Sequence, residues 1–385
     1  MNSGGWCKKE YRLFIKNDHL QTKSDASAYI LPYWAQTKRN MRLKLSAITA
    51  LLFALTAILF WEIYWRNKGL QPMLDDDKHL WAQARHKVHD LTSDDIVIVG
   101  SSRVLFNIQL DDFENVTGKR PIQLASAGSS PLPIFRDIVR TTSFNGTIIV
   151  GVTPGLFFST TFPGASPMKW PLERVEHYHD RTWASRLNQW LSLPLQEHAV
   201  FIAGHQSVMD DNVDLKTLLL NFSEGSRPDK PSYPPFFEFG KIDKDRNVRM
   251  VDRVAEDTAQ ANIIKGAWEF VVKGNRNKPD KVSTINYFKE DVDLFTGRGG
   301  RIILVRCPST GMFKDGEARF LPRPQFFDSL VQVTQLPAYH YADYETLSGF
   351  DCPEWSHLSY EDARIFTDEL AKIMVADGVI TNTSK

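Results

Sequence analysis

Moving an acyl group through a covalent intermediate takes a hydroxyl, a base within hydrogen-bond reach of it, a carboxylate to orient the base, and donors for the oxyanion. Two short stretches of this 385-residue chain hold residues of those types. "IVIVGSSRVLF", residues 96–106, is a β-branched run that ends in a glycine and two serines, Ser101 and Ser102. "DCPEWSHLSYEDA", residues 351–363, puts His357 in a loop directly before an amphipathic stretch. Glu354 precedes that histidine by three residues and Asp351 by six. A carboxylate three residues before a loop histidine can bend back to accept from its ring N–H, which sets tautomer and orientation. Gly-Ser-Ser after a strand also has a purely conformational reading as a tight turn. The acid–histidine loop is what supplies the chemical alternative.

Residues so far apart in sequence must be brought together by a scaffold, and the pattern between them is that of an α/β sheet. "DDIVIVG" (94–100), "RPIQLASAG" (120–128) and "NGTIIVGVT" (145–153) read as strands covered on both faces. "LDDFENVTG" and "SPLPIFRDIVRTTSF" lie between them as helices, the first stopped by Gly118 and the second opened by an early proline. Strand and helix alternating at this spacing predict βαβ units and a parallel sheet. "GGRIILVRCPSTG" (299–311) is a further strand, and "LPAYHYADYETL" (336–347) the last strand with its loop. "YEDARIFTDELAKIMVADG" (360–378) closes the pattern as a helix with Ala363, Ile365, Phe366, Leu370 and Ile373 near one face. Such folds place their chemistry at the carboxyl ends of the strands.

Residues 159–297 interrupt the alternation and are expected to form an inserted cap over that edge. Helices are predicted in "WASRLNQWLSLPLQEHAVFIAG", "DLKTLLLNF" and "STINYFKEDVDLFTG", with a β-hairpin over "EFGKIDKDRNVRMV" and a Pro-rich passage "RPDKPSYPPFFEFG" before it. Its aromatics Trp170, Trp183, Trp190, Phe236 and Phe237 are read as core rather than as a sugar-binding platform.

Four blocks in order give the chain a resemblance to the SGNH, or GDSL-type, hydrolases and acyltransferases, over residues 94–158 and 299–376. "VGSSR" resembles the first block, Gly-Asp-Ser, with Ser102 in the nucleophile position and Ser101 where the family keeps an aspartate. "QLASAGSS" resembles the second, whose glycine corresponds to Gly128. "VGVTPGL" occupies the place of Gly-x-Asn-Asp, with Thr153 standing where the asparagine would be. "EWSHLSYEDA" resembles the Asp-x-x-His block, with Glu354 for the aspartate and His357 as base. The resemblance implies a flavodoxin-like three-layer α/β/α fold with a parallel sheet. It also implies a triad of Ser102, His357 and Glu354, Asp351 being the alternative acid. The oxyanion would be held by the N–H groups of Ser102 and Gly128, with Thr153 in the third position.

An uncharged run, "LSAITALLFALTAILFW", precedes all of this and is long enough to span a hydrocarbon core. Trp61, Tyr64 and Trp65 stand as interfacial aromatics at its outer end, and Lys38, Arg39, Arg42 and Lys44 flank its inner end. The expected organisation is a cytoplasmic tail at 1–42, with Met41 as an alternative start, a signal-anchor helix at 43–65 and a linker helix at 66–92. The SGNH core then comprises 93–158 and 298–380, on the extracytoplasmic, periplasmic side of a bacterial inner membrane. Lys+Arg and Asp+Glu both number 46, so no basic footprint for nucleic acid exists.

Outside the reducing compartment Cys307 and Cys352 have two readings, a disulfide or two buried thiols, while Cys7 would face the reducing side. His177 and His179 are spaced i, i+2 with no further ligand at metal-site spacing, and are read as surface residues; no metal or cofactor is expected. His340 is read as a strand or loop residue, and Arg103 as pairing within the fold rather than meeting an anionic substrate.

Membrane-anchored members of the family include accessory proteins of alginate O-acetylation and teichoic-acid D-alanylation. By that likeness the chain is expected to be a serine esterase or O-acyltransferase for acetyl-type groups on cell-envelope or exported polysaccharide, working beside a membrane-bound acyltransferase. Two alternatives stay open: a non-catalytic binding or scaffold partner of an acyltransferase or export machinery, and a membrane-tethered small-ester or lipid esterase.

Overall fold

The computed structural model of the protein describes residues 33–67, 71–159, 161–162, 164–200, 239–274 and 278–382. Cys7, the stretch "DLKTLLLNF", Phe236 and Phe237 lie outside them. The chain divides into two units, Met1–Phe60 and Trp61–Lys385. The first holds most of helix α1 (Tyr33–Asn67). The 28 residues from Asn40 to Asn67 are long and apolar enough to cross a membrane, and none of the apolar window is buried.

The second unit opens with α2 (Lys78–Lys87), β1 (Ile96–Val99), α3 (Ser102–Asn107), α4 (Leu110–Thr117), β2 (Ile122–Gln123), α5 (Leu132–Thr141) and β3 (Thr147–Gly151). It continues through α6 (Pro154–Phe157), α7 (Ser166–Asp180), α8 (Trp183–His198), a hairpin of β4 (Gly240–Ile242) and β5 (Val248–Met250), α9 (Asp252–Glu256), α10 (Thr258–Gly274) and α11 (Lys281–Gly297). It closes with β6 (Arg301–Arg306), α12 (Gly311–Phe320), α13 (Phe327–Thr334), β7 (Ala338–His340), α14 (Glu345–Ser348) and α15 (Tyr360–Ala376). Five strands form one parallel sheet in the order β2-β1-β3-β6-β7. The order reverses between β1 and β3, as in open doubly wound sheets, which leaves a crevice at their carboxyl ends.

Unbroken apolar strands are explained by two cores, one on each face. Ile96, Ile98, Ile149, Ile303 and Val305 point to the face covered by α3, α4, α15 and the hairpin, where Phe106, Phe113, Phe366 and Met374 are buried. Val97, Val99, Ile148, Val150, Ile302 and Leu304 point to the face covered by α2, α5, α11 and α13, where Trp81, Phe135, Phe288 and Phe295 are buried. Two glycines let α3 come down onto the sheet. A Cβ on Gly100 would stand 2.2 Å from Val104 Cγ2, and one on Gly151 2.4 Å from Val104 Cγ1.

The 159–297 segment is built differently from a simple cap. Helix α11 belongs to the sheet's own core, through Ile285, Phe288, Val292 and Phe295, so the connection from β3 to β6 includes an ordinary covering helix. The hairpin is pinned to the sheet by Arg246, fully buried, whose guanidinium bonds Asp76 at 2.8 Å and the carbonyls of Gln123 and Ala125. Trp183 and Trp190, expected in a core, are instead 75% and 68% exposed on α8. Hydrophobic spacing alone cannot say whether an amphipathic face has anything packed against it.

His340 ends β7 with its ring nearly buried, and Nδ1 accepts from the amide of Ala342 at 3.1 Å. Burial, with Arg323 and Arg306 nearby, pushes its pKa down to about 4 from the usual 6.5. The folded ring therefore stays neutral where the unfolded ring takes up a proton. Its contribution is whole above pH 6.5 and is lost as pH falls from there toward 4. His340→Asn retains an acceptor that does not titrate, so calorimetry between pH 7 and pH 4.5 is expected to show a shallower fall in melting temperature for the variant. The difference in stability should be about 2 kcal/mol.

Candidate active site

The first half of the site is the junction of β1 and α3. Ser101 caps α3, its hydroxyl accepting from Arg103 N, and Ser102 is the first residue of the helix, 6% exposed. The N–H of Ser102 lies in the first turn, where intrahelical partners are lacking. Beside it runs the segment after β2, tied to β1 by Ser126 N donating to Gly100 O at 3.0 Å. Two residues further on, Gly128 takes φ +62°, the left-handed conformation that glycine adopts without penalty. Thr153, at the end of β3, is hydrogen-bonded through Oγ1 to Ser101 Oγ at 2.5 Å. Ser101 and Thr153 are thus partners of each other.

The second half is the loop before α15. The Glu354 carboxylate is completely buried and accepts from four donors: His357 N, His357 Nδ1 at 2.9 Å, Ser356 N at 3.2 Å, and Trp268 Nε1. A carboxylate only accepts, so a neutral imidazole here carries its proton on Nδ1 and its lone pair on Nε2. That Nε2 is buried and has no hydrogen-bond partner among the described residues. An imidazole held by an acid on one nitrogen and unpaired on the other is arranged to accept a proton. Of the two candidate acids it is Glu354 that meets His357, while Asp351 is exposed.

Helix α3 joins the halves. Leu358 N donates to Asn107 Oδ1 at 3.0 Å, and Arg103 Nε donates to Ser356 Oγ at 3.3 Å. The Phe106 ring lies 4.7 Å from the His357 ring. Ser102 and Phe106 are i, i+4 and share a face of α3, so the hydroxyl sits one turn from the ring that touches the histidine. No hydrogen bond links Ser102 Oγ to His357 Nε2 among the described residues.

Several residues that build this site carry no sequence signal of their own. Trp268, on α10, donates to Glu354 and packs 5.9 Å from the His357 ring, and Phe239 lies 5.4 Å from it on another side. Trp355 takes φ +80° between Glu354 and Ser356, under Lys265 of α10 and against Gly311. The helix "TAQANIIKGAWEFVVKG" has an amphipathic pattern that places Trp268 inward, but nothing local indicates a carboxylate as its partner.

Beside the site lies a buried charge cluster. Arg103 Nη2 pairs with Glu317 Oε1 at 2.7 Å, and Arg306 pairs with Glu317 Oε2 and donates to Ser309 Oγ. Burial works against the Glu317 charge, yet the two guanidiniums outweigh it and hold the carboxyl below its usual range. Burial likewise opposes the Arg103 charge, and Glu317 more than offsets it. Arg103 thus pairs within the fold. The Cys307–Cys352 bridge is not formed: both are buried free thiols. Both belong to the apolar core on the α3 face, and burial pushes Cys307 up to about 12 and Cys352 higher still. They behave as small apolar side chains that remain protonated.

His177 bonds His79 at 3.0 Å and His179 bonds Asp137 at 2.7 Å, and no group of three or more metal-ligand side chains occurs among the described residues. Neither protein-family models nor curated proteins match this chain.

Proposed function

We propose that the chain is a membrane-anchored serine esterase or O-acyltransferase of SGNH type, with Ser102 as nucleophile. The observation that carries this reading is the buried Glu354–His357 pair with an unpaired Nε2, clipped onto the helix that begins at Ser102. In the proposed reaction Ser102 Oγ attacks the ester carbonyl and His357 Nε2 takes the serine proton. The proton is then given to the leaving alcohol, and an acyl-serine remains. Water or an acceptor hydroxyl, deprotonated by the same nitrogen, releases the acyl group. Glu354 orients the ring and balances the imidazolium charge. The oxyanion falls to the N–H groups of Ser102 and Gly128, since the Thr153 hydroxyl is engaged by Ser101. The apolar run of α1 and the basic residues before it support a position outside the cytoplasm, where the proposed substrates are acetyl-type esters of an envelope or exported polysaccharide.

A second reading, a non-catalytic SGNH-type scaffold, is favoured by one observation. His357 is fully buried beneath Phe106, Phe239 and Trp268, so a substrate reaching Nε2 requires side chains around it to shift. Fluorophosphonate labelling of the full chain separates the two. Labelling of the native protein that vanishes in Ser102→Ala, with release of acetate from acetyl esters, is the expected result. Absence of Ser102-dependent labelling and of esterase activity would sink the enzyme reading.

A further inference from the structure

Helix α8 carries an apolar face with nothing packed on it among the described residues. Trp183, Leu187, Trp190, Leu191 and Leu195 recur at helical spacing and are 75%, 37%, 68%, 54% and 52% exposed. Two exposed tryptophans and three leucines on one stripe are an unusual concentration for a protein surface in water. The opposite face holds the helix in place: Leu193 packs on the core, Gln189 is buried, and Gln196 accepts from Asp75 N at 3.1 Å.

Next to the stripe lies a cavity of about 380 Å³ between α2 and α8. His79, His86, Lys87, Arg181 and Arg186 line it, and no carboxylate does. Arg181 Nε is buried without a hydrogen-bond partner, and burial together with the Arg186 charge lowers the Arg181 pKa. The charged side chains that line the cavity are thus cationic, with Arg181 Nη1 donating to Ala82 O at 3.3 Å. On the helical wheel Arg186 falls between the cavity-lining Gln189 and the exposed Trp190, so cation and apolar stripe adjoin.

A third observation concerns where α8 ends. Arg66 Nη2 donates to His198 O at 2.9 Å, and Val200 N donates to Glu62 Oε1 at 3.1 Å. These bonds hold the end of α8 beside residues 62–66, which in the sequence directly follow the apolar run.

We propose that α8 lies in the headgroup layer of an anionic bilayer, its tryptophan–leucine stripe against the acyl chains and Lys87, Arg181 and Arg186 around a lipid phosphate. An interfacial helix needs both an apolar face to insert and cations at its margin to meet anionic lipid, and α8 has both. Tryptophan, with an apolar body and a single N–H, favours that layer. The phospholipid contact is separate from Ser102 chemistry and stands whether or not the protein turns over.

The test uses the full chain in lipid nanodiscs with an environment-sensitive fluorophore on Leu187→Cys, with Cys7 replaced by serine. Cys307 and Cys352 are buried and unreactive. The same label on Ile365→Cys, an isolated exposed apolar residue of α15, is the comparison. With phosphatidylglycerol present, nitroxide-bearing lipid is expected to quench the label at 187 about threefold more than the label at 365. The paired charge reversals Lys87→Glu and Arg186→Glu should remove the phosphatidylglycerol dependence while leaving the fold intact, as read by an unchanged melting temperature. A label at 187 that is as open to aqueous iodide as the one at 365, in every lipid mixture, overturns the proposal. So does tight binding of inorganic phosphate that leaves the label open to iodide, because the cavity would then serve a soluble anion.

Discussion

Replacing Glu354 by glutamine is expected to slow acylation of Ser102 by about 10³–10⁴-fold, while lowering stability only modestly. Glu354 receives four donors and offers none, so its carboxylate is the shared acceptor for His357, Ser356 and Trp268. An amide of the same shape must turn an NH₂ toward one side. Turned toward Trp268 Nε1, it sets donor against donor. Turned toward His357, it forces the proton from Nδ1 to Nε2, and the ring can no longer accept from serine. Either arrangement costs the reaction, and each also costs roughly 1–3 kcal/mol for an unmade buried hydrogen bond, since an NH₂ on the His357 side faces the backbone N–H groups of His357 and Ser356. Rates of fluorophosphonate inactivation, read beside calorimetric melting, check this. An unchanged inactivation rate in Glu354→Gln would remove the acid from the mechanism.

The largest stability effect is expected at Glu317. Glu317→Leu leaves Arg103 and Arg306 buried with no counter-charge between them, which is expected to cost about 3–5 kcal/mol. The double variant Glu317→Leu with Arg306→Met removes one of the two stranded cations. It should melt above the single variant, giving a coupling that simple additivity does not produce. The pH dependence has a definite sign. The folded carboxyl is held below the usual glutamate value of 4.5, so its contribution is present above that pH and is lost as pH falls through the folded value. Glu317→Gln should flatten the acid limb of the stability curve. Equal acid sensitivity in the two proteins would show that the cluster contributes nothing to it.

Which parts of this molecule were legible before its folding follows from the range of the interactions. The parallel strands were readable because each is a short, unbroken apolar run, and only a sheet covered on both faces requires that. The i−3 spacing of Glu354 and His357 was readable because a loop of three residues is local, and the two groups meet wherever the loop is placed. The stop of α4 at Gly118, with φ +71°, is equally local. The halves of the site were legible as types and in order. Their assembly was not, because it runs through Asn107, Arg103 and Phe106, which look like ordinary helix residues.

The sequence by itself determined the apolar membrane-length segment, the α/β alternation, the hairpin over 240–250 and the local acid–histidine pairing. Each is written in stretches of contiguous sequence, without contacts between distant elements. Only the tertiary structure decided that α11 is core, that Trp268 closes the Glu354 hydrogen-bond set, that Glu317 neutralises two buried arginines, and that Cys307 and Cys352 stay thiols. It also decided that Trp183 and Trp190 face outward. A pattern of apolar residues specifies that a face will be shielded from water; what shields it, whether core, partner or lipid, is a property of the assembled chain and its surroundings.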